Sequence, residues 1–168
     1  MKKSRILTIS GKTKKITVET VIKEIRELKF FREFDEKQQH LLLELGVIRE
    51  FGVKEIIIKE TQELHDLCVV LEGHVTLGIT VPNKGRINIG TIYPGQIFSW
   101  SALFKPYIST AVVSADVPTR VMAFNAMKIQ AWIEREPEFG YKLMRFVSET
   151  LSQRLHDTRF QLVNIVTI

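Results

Sequence analysis

The residues best suited to hold a ligand lie in one short stretch, residues 95–115, which reads GQIFSWSALFKPYISTAVVSA. It begins at a Pro94-Gly95 turn and gathers four apolar side chains within a few positions: Phe98, Trp100, Leu103 and Phe104. Hydroxyl side chains lie among and after them. A compact, apolar-lined turn between two barrel strands is where a small all-β domain usually keeps its ligand. The sequence therefore predicts a binding site here.

The sequence gives less support for a catalytic site or a metal site. The four histidines are scattered and form no metal-ligand spacing: His40, His65, His74 and His156. The single cysteine, Cys68, lies among apolar strand residues, where a thiol is normally a small buried hydrophobe. No glycine-rich phosphate loop and no serine nucleophile elbow are present. We predict no catalytic residues, no metal site and no enzyme activity.

The amino-acid composition limits the classes of protein to which the chain can belong. The chain has 168 residues, 45% of them hydrophobic and 26% charged, which suits one globular domain. No run approaches 18 apolar residues, so no membrane span is expected, and one cysteine agrees with a reducing, cytoplasmic location. The net charge is +5, with many of the cations in the first fifteen residues. That basic segment is either a solvated tail or a nucleic-acid contact.

The elements that would position the stretch are mainly strands. Short runs with strand periodicity, separated by turn-forming residues, occupy residues 47–48, 55–58, 67–71, 74–81, 86–92, 96–98, 110–113 and 120–124. Eight short strands at this spacing indicate a sandwich or jelly roll rather than alternating strands and helices. The predicted fold class is mainly β, an eight-stranded jelly-roll barrel with flanking helices.

Helical patterns close both ends. Residues 17–28 form one, with a possible cap at Thr17, and a second begins at Asp35 and ends at Gly46. Asn125 can cap a short helix, and Pro137 suits the first turn of a longer one. We therefore divide the chain into a basic tail or hairpin (residues 1–16), helices plus β-roll (17–136) and a long C-terminal helix (137–168).

The long helix carries a seam that predicts a homodimer. Its positions alternate steps of four and three, as in a coiled coil: Leu151, Leu155, Thr158, Leu162 and Ile165. Thirty helical residues would extend about 45 Å, longer than a small barrel needs for cover. The alternative is a helix packed along its own barrel.

This order of elements resembles the cyclic nucleotide-binding domain, and is similar to the sensor half of the catabolite activator protein family. The resemblance covers about residues 28–163. The sequences that carry it are LCVVLEGHV at residues 67–75, PGQIF at 94–98, and Leu103-Phe104 and Thr110-Ala111 at the body and exit of the family's phosphate-binding cassette. Arg154, Leu155 and Thr158 fall on the family's dimer helix.

The resemblance implies a glycine, a glutamate and an arginine that bind the ribose and cyclic phosphate, and these positions read Ser99, Trp100 and Ser109 here. A further family glycine reads Thr61. An indole cannot accept a hydroxyl proton, and a serine cannot replace a bidentate guanidinium, since each hydrogen bond to a charged group contributes about 1.5–3 kcal/mol. A cyclic nucleotide is thus implied by the family, but binding by its usual residues is not expected.

A second version of the cassette, Gly-Trp-Ser-Ala-Leu in single-domain bacterial relatives, is matched more closely by SWSAL at residues 99–103. Trp100 would stack on a planar ligand or fill the emptied pocket itself. The resemblance implies these ligand-binding residues: Phe98, Ser99, Trp100, Ser101, Ala102, Leu103, Ser109, Thr110 and, from the dimer helix, Thr158.

Three functional hypotheses follow. The first is a stand-alone dimeric sensor module that binds a small, non-standard effector, either anionic or neutral. The second is a ligand-free dimerisation or interaction protein with a filled cassette, and the third is nucleic-acid binding through the basic tail. The chain ends at Ile168 without a helix-turn-helix, which argues against direct DNA binding.

Overall fold

The computed structural model describes residues 18–166, with side chains described for residues 19–160 and for Val163. Eight strands form two four-stranded antiparallel sheets, with the orders β1-β8-β3-β6 and β2-β7-β4-β5. The strands are β1 Val47–Phe51, β2 Ile56–Ile58, β3 Asp66–Glu72, β4 Val75–Val81, β5 Gly85–Ile92, β6 Ile97–Phe98, β7 Val112–Ala115 and β8 Thr119–Asn125. The predicted fold class, a mainly β roll with flanking helices, is confirmed.

Three helices precede the sheets: α1 Val18–Arg26, α2 Lys29–Arg32 and α3 Glu36–Leu45. Asp35 caps α3 as predicted, since its carboxylate accepts the Gln38 N–H at 2.9 Å and the Gln38 side chain accepts the Asp35 N–H. Gly46 ends α3 as predicted. The Thr17 cap and the basic segment 1–16 lie outside the described residues.

Two helices follow the sheets: α4 Ala126–Arg135 and α5 Pro137–Val166. The Asn125 side chain accepts the Lys128 N–H at 3.1 Å and so caps α4, as predicted. Pro137 is the first residue of α5, where its missing N–H would have no intrahelical partner in any case. Among the helices that the structure describes, none is long and apolar enough to cross a membrane.

The structure differs from the sequence prediction at several element boundaries, and two of these differences have a clear cause in the structure. The helix predicted over residues 17–28 stops at Arg26, because Leu28 is extended and turns the chain so that Phe30 and Phe31 enter the core. Strand β7 begins at Val112 rather than at Thr110. The reason is a local turn, in which the Ser109 hydroxyl donates to the Ala111 carbonyl oxygen at 2.7 Å and bends the chain before the strand.

The core between the roll and the helices centres on Phe30. Its ring is fully buried and lies 5.3–5.9 Å from four other phenylalanine rings, of Phe31, Phe34, Phe124 and Phe146. These belong to α2, the turn after it, β8 and α5. One side chain therefore packs α2 and α5 against the first sheet, and α5 is anchored there through its first half.

We expect Phe30→Ala to lower the free energy of unfolding by about 3–5 kcal/mol, because the large ring leaves a cavity at a junction of three elements. Chemical denaturation followed by circular dichroism measures this. Tyr141→Ala on α5 is the matched control, since Tyr141 is exposed and should change stability by less than about 0.5 kcal/mol. A loss below about 1 kcal/mol for Phe30→Ala would contradict this account of the core.

Candidate functional site

The candidate site is the segment from Gly95 to Ala111, called the cassette below. Gly95 has φ +82°, and an added Cβ would lie 2.9 Å from the Lys29 backbone nitrogen, so glycine is required at this turn. Strand β6 then pairs with β3 and forms one edge of the first sheet. A single 3₁₀ turn follows, Trp100–Leu103, and it places the indole at the surface of the roll.

Ser99 of the cassette and Thr61 in the loop after β2 have left-handed backbone conformations, as do Gly95 and Tyr107 of the cassette. Ser99 has φ 62° and Thr61 has φ 63°, a region that favours glycine. These are the two positions where the family resemblance implied glycine. The backbone shape that a glycine would adopt is thus retained although the residue type has changed, at a cost of about 1–2 kcal/mol for each side chain.

The indole of Trp100 is covered by a side chain from the long helix. The guanidinium carbon of Arg154 lies 4.0 Å from the ring centroid, within the distance of a cation–π contact. The same guanidinium donates from Nη2 to the Ile97 carbonyl oxygen on β6 at 2.8 Å. Arg154 therefore joins α5 to both the strand and the turn of the cassette.

Burial also changes the electrostatics of Arg154. Loss of solvent lowers the pKa of its guanidinium to about 10, so the group stays charged at neutral pH. Within residues 18–166 no ion pair shorter than 4.0 Å involves Arg154. A partly desolvated guanidinium with N–H groups left for a ligand favours an anion at this position.

A cavity of about 390 Å³ opens at the entrance to the cassette. Ser99 lies on one side of it, and the other side is formed by Arg49 of β1, by β2, by the loop that includes His65, and by Asp66 and Cys68 of β3. Arg49 is paired with Asp66 at 2.7 Å, so its charge is already balanced. Burial raises the pKa of the Cys68 thiol to about 12, which leaves it protonated and unreactive at neutral pH.

The predicted ligand-binding residues occupy different environments. Ser99, Trp100 and Ser101 are half-buried around the 3₁₀ turn, while Phe98, Ala102 and Leu103 are buried in the core. The Ser109 hydroxyl is engaged with Ala111, and Thr110 is exposed. Thr158 is exposed and donates its hydroxyl proton to the Arg154 carbonyl oxygen at 2.8 Å. The structure therefore brings residues 98–103 together, with the hydroxyls of Ser109 and Thr158 turned to their own backbone.

Sequence reasoning assigned Arg154 to the dimer helix and gave it no part in the site. The signal that could have found it is its position one helical turn before Thr158, on the same face of α5. The structure also links the cassette to α4, since Gln130 Nε2 donates to the Leu103 carbonyl oxygen at 3.0 Å. Both C-terminal helices thus contact the segment 97–103.

The predicted dimer seam is exposed where the structure describes it. Leu151 is 41% and Leu155 is 53% exposed, and two further apolar side chains of α5, Phe160 and Val163, are also exposed. The side chains of Leu162 and Ile165 lie outside the described residues. Leu151 and Leu155 lie one turn apart on one face of α5, whereas Phe160 and Val163 lie on other faces. An exposed apolar pair on one helix face is compatible with pairing to another protein surface.

Known proteins resemble this chain both in sequence and in fold. The family model described as the cyclic nucleotide-binding domain matches residues 48–136, just over half of the chain. The chain is 28% identical to a Geobacter metallireducens protein assigned as cyclic nucleotide-binding, whose crystal structure superposes with a TM-score of 0.69 over 80% of this chain and 97% of that one.

More distant proteins share the fold. The Thermus thermophilus catabolite activator protein has a TM-score of 0.67 and 20% identity, over 82% of this chain and 63% of that one. A Rhodopseudomonas palustris protein described as a potassium channel is 25% identical over 116 residues, which are 68% of this chain. The match spans only 27% of that curated relative's length.

We expect Ser99→Gly to raise the free energy of unfolding by about 0.5–1 kcal/mol. Glycine removes the energetic cost of a side chain at φ 62°. Its greater conformational entropy in the unfolded chain offsets part of this stabilisation. Thermal and urea unfolding measure the change. Ser101→Gly, inside the 3₁₀ turn, is the control and should destabilise the protein instead. A loss of stability in Ser99→Gly would mean that the serine side chain stabilises the turn.

Proposed function

Since the chain belongs to the cyclic nucleotide-binding domain family, we propose that it is a regulatory module whose cassette binds a small, planar, anionic effector. In this proposal residues 17–136 and Arg154 of the helix 137–168 bind the effector, and that helix transmits the change. Residues 1–16 are a basic tail or hairpin. The observation that carries the proposal is the position of Arg154, whose guanidinium covers Trp100 at 4.0 Å.

The chemistry of the two side chains defines the effector. The indole of Trp100 offers a flat apolar face but no acceptor for a ribose hydroxyl. The guanidinium of Arg154 offers a delocalised positive charge without an ion-pair partner among the described residues. A ligand with an aromatic ring and an acidic group satisfies both, and it needs no carboxylate at position 100 and no arginine at position 109.

The mechanism follows from competition for the indole. A planar ring that stacks on Trp100 occupies the place that the Arg154 guanidinium holds without ligand, so the arginine moves to pair with the acidic group. Its bond to the Ile97 carbonyl is then lost, and the second half of α5 shifts against β6. A ligand can move this equilibrium only by its difference in affinity between the two arrangements, which the new ion pair supplies.

We expect ligand screening by thermal shift to separate effector classes. Planar aromatic carboxylates and sulfonates should stabilise the protein and quench tryptophan fluorescence, with about 2.7 kcal/mol added at 100 times the dissociation constant. Cyclic AMP and cyclic GMP should give smaller shifts at equal concentration. Arg154→Gln should weaken the aromatic anion at least tenfold, whereas Arg159→Gln, an exposed arginine on the same helix, should change affinity less than twofold.

Other results of the ligand screen, and a nucleic-acid retention assay, distinguish the alternative functions. A screen in which no compound stabilises the protein would favour a ligand-free interaction protein, with Trp100 and Arg154 filling the cassette. Stabilisation by cyclic AMP that is independent of Arg154 would overturn the proposed chemistry. Nucleic-acid retention that disappears on deleting residues 1–15 would support the third hypothesis instead.

We also propose that α5 pairs with its copy across a two-fold axis through Leu151, Leu155, Thr158, Leu162 and Ile165. Leu151 and Leu155 flank Arg154 in sequence and are exposed, so a shift of Arg154 would alter the same segment that forms the seam. The effector would then act on the geometry or the strength of the dimer.

We expect the protein to elute near twice its 19.4 kDa mass, and the double variant Leu151→Lys, Leu155→Lys to elute as a monomer. Two buried positive charges at the seam would repel each other and their copies. Light scattering coupled to size exclusion measures the mass. Tyr141→Lys adds a charge at an exposed position nearer the start of α5 and should leave the mass unchanged. A monomeric starting protein would rule out the seam.

A further inference from the structure

The outer face of the second sheet carries a cleft that the cassette does not explain. Along β4, Val75 and Leu77 face the core, so Thr76 and Gly78 between and beyond them face outward. The cleft has a volume of about 310 Å³, at the lower end of the range for small-molecule sites. It is lined by Lys54, Thr76, Arg86, Asn88, Ser114 and Asp116.

Gly78 makes room for the arginine of this cleft. The Arg86 side chain lies flat across Gly78 on the neighbouring strand, and a Cβ added at Gly78 would overlap the Arg86 Nε and lie 2.9 Å from its Cγ. Any other residue at position 78 would push the guanidinium away from the sheet. A glycine in the interior of a strand often marks such a close approach.

A directed chain of hydrogen bonds then holds the guanidinium in place. Arg86 Nη2 donates to Ser114 Oγ at 2.8 Å, and Ser114 Oγ lies 3.2 Å from Thr76 Oγ1. Thr76 Oγ1 in turn donates to Asp116 Oδ1 at 3.1 Å. Because the carboxylate can only accept, the protons point from Arg86 through Ser114 and Thr76 to Asp116. The two hydroxyl residues are 5% and 6% exposed, so this network is built into the sheet.

The remaining polar groups of the cleft are donors. Asn88 Oδ1 accepts the Gly90 N–H at 2.8 Å, which leaves its NH₂ group for a ligand. The Lys54 ammonium and four of the five Arg86 N–H groups are left as well. Among the residues that the structure describes, no ion pair within 4.0 Å involves Lys54, Arg86 or Asp116. Two cations face one carboxylate, and the carboxylate is already engaged by Thr76.

We propose that this cleft is a second binding site, distinct from the cassette, for the phosphate group of a small molecule or for free phosphate. A planar guanidinium fixed at one edge can donate two parallel bonds to an oxyanion, and Lys54 and Asn88 add donors from the other side. The site is separate from the effector proposal, since none of its lining residues belongs to the cassette or to α5.

Titration with inorganic phosphate and with glycerol 1-phosphate, followed by ¹H–¹⁵N spectra at constant ionic strength, tests this site. We expect saturable shifts at the amides of β4, β5 and β7, and tighter binding of the ester if the natural ligand is a phosphorylated molecule. Equal binding of both would assign free phosphate. Arg86→Gln should weaken binding at least tenfold, because it removes the charge and the paired donors.

Gly78→Ala is the decisive variant, because it displaces the Arg86 side chain without changing any charge, and it should also weaken binding at least tenfold. Lys84→Gln, at the tip of the same hairpin, removes one charge outside the cleft and should change affinity less than twofold. If Lys84→Gln weakened phosphate binding equally, or if the amide shifts did not saturate, the binding would be general charge attraction. Either result would overturn the proposal. Trp100→Leu should leave phosphate binding unchanged, so this test succeeds or fails independently of the cassette.

Discussion

The contact between the Arg154 guanidinium and the Trp100 indole joins the long C-terminal helix to the cassette, and the proposed function depends on it. It is formed by α5 on one side and by the first residue of the 3₁₀ turn on the other, with the Ile97 carbonyl as a third partner. A guanidinium loses much of its hydration here and gains a ring face and a carbonyl in return. Because α5 is anchored at Phe146 and mostly exposed beyond Leu151, this contact is where its second half meets the cassette.

The roll around this contact has the family's fold, and it carries Ser99, Trp100 and Ser109 where the family resemblance implied other residues. Ser99 and Thr61 hold left-handed conformations that a glycine would adopt at no cost, and β6 still delivers the chain to a turn at the same place. Ligand chemistry depends on a few side-chain tips, and these can change without unfolding the barrel. The family membership therefore explains the architecture and leaves the effector open to different chemistry.

The two sheets of the roll contribute in different ways. The first sheet carries the cassette and contacts α2, α4 and α5, so a change there can reach the helices. The second sheet turns a polar face to solvent, where Gly78 and a chain of hydroxyls hold Arg86 in one orientation. In both places a guanidinium is positioned by the backbone around it and lacks an ion-pair partner among the described residues. Arg154 is half-buried, so its charge has lost part of its hydration, whereas Arg86 is exposed and remains hydrated.

The sequence by itself determined the features that depend on neighbouring residues: strand periodicity, the Asp35 and Asn125 caps, the start of α5 at Pro137 and the site of the cassette. It also located most of the fold through local patterns that resemble one family. It missed the break at Leu28, because only burial of Phe30 and Phe31 rewards that turn. Only the tertiary structure decided that Arg154 covers Trp100 and donates to the Ile97 carbonyl oxygen, which is 57 positions away in the sequence. It also decided that Arg86 donates to the Ser114 hydroxyl, 28 positions away. Groups so far apart in the sequence come into contact only when the sheets and helices pack together. The pattern of neighbouring residues does not predict which of these groups will be in contact.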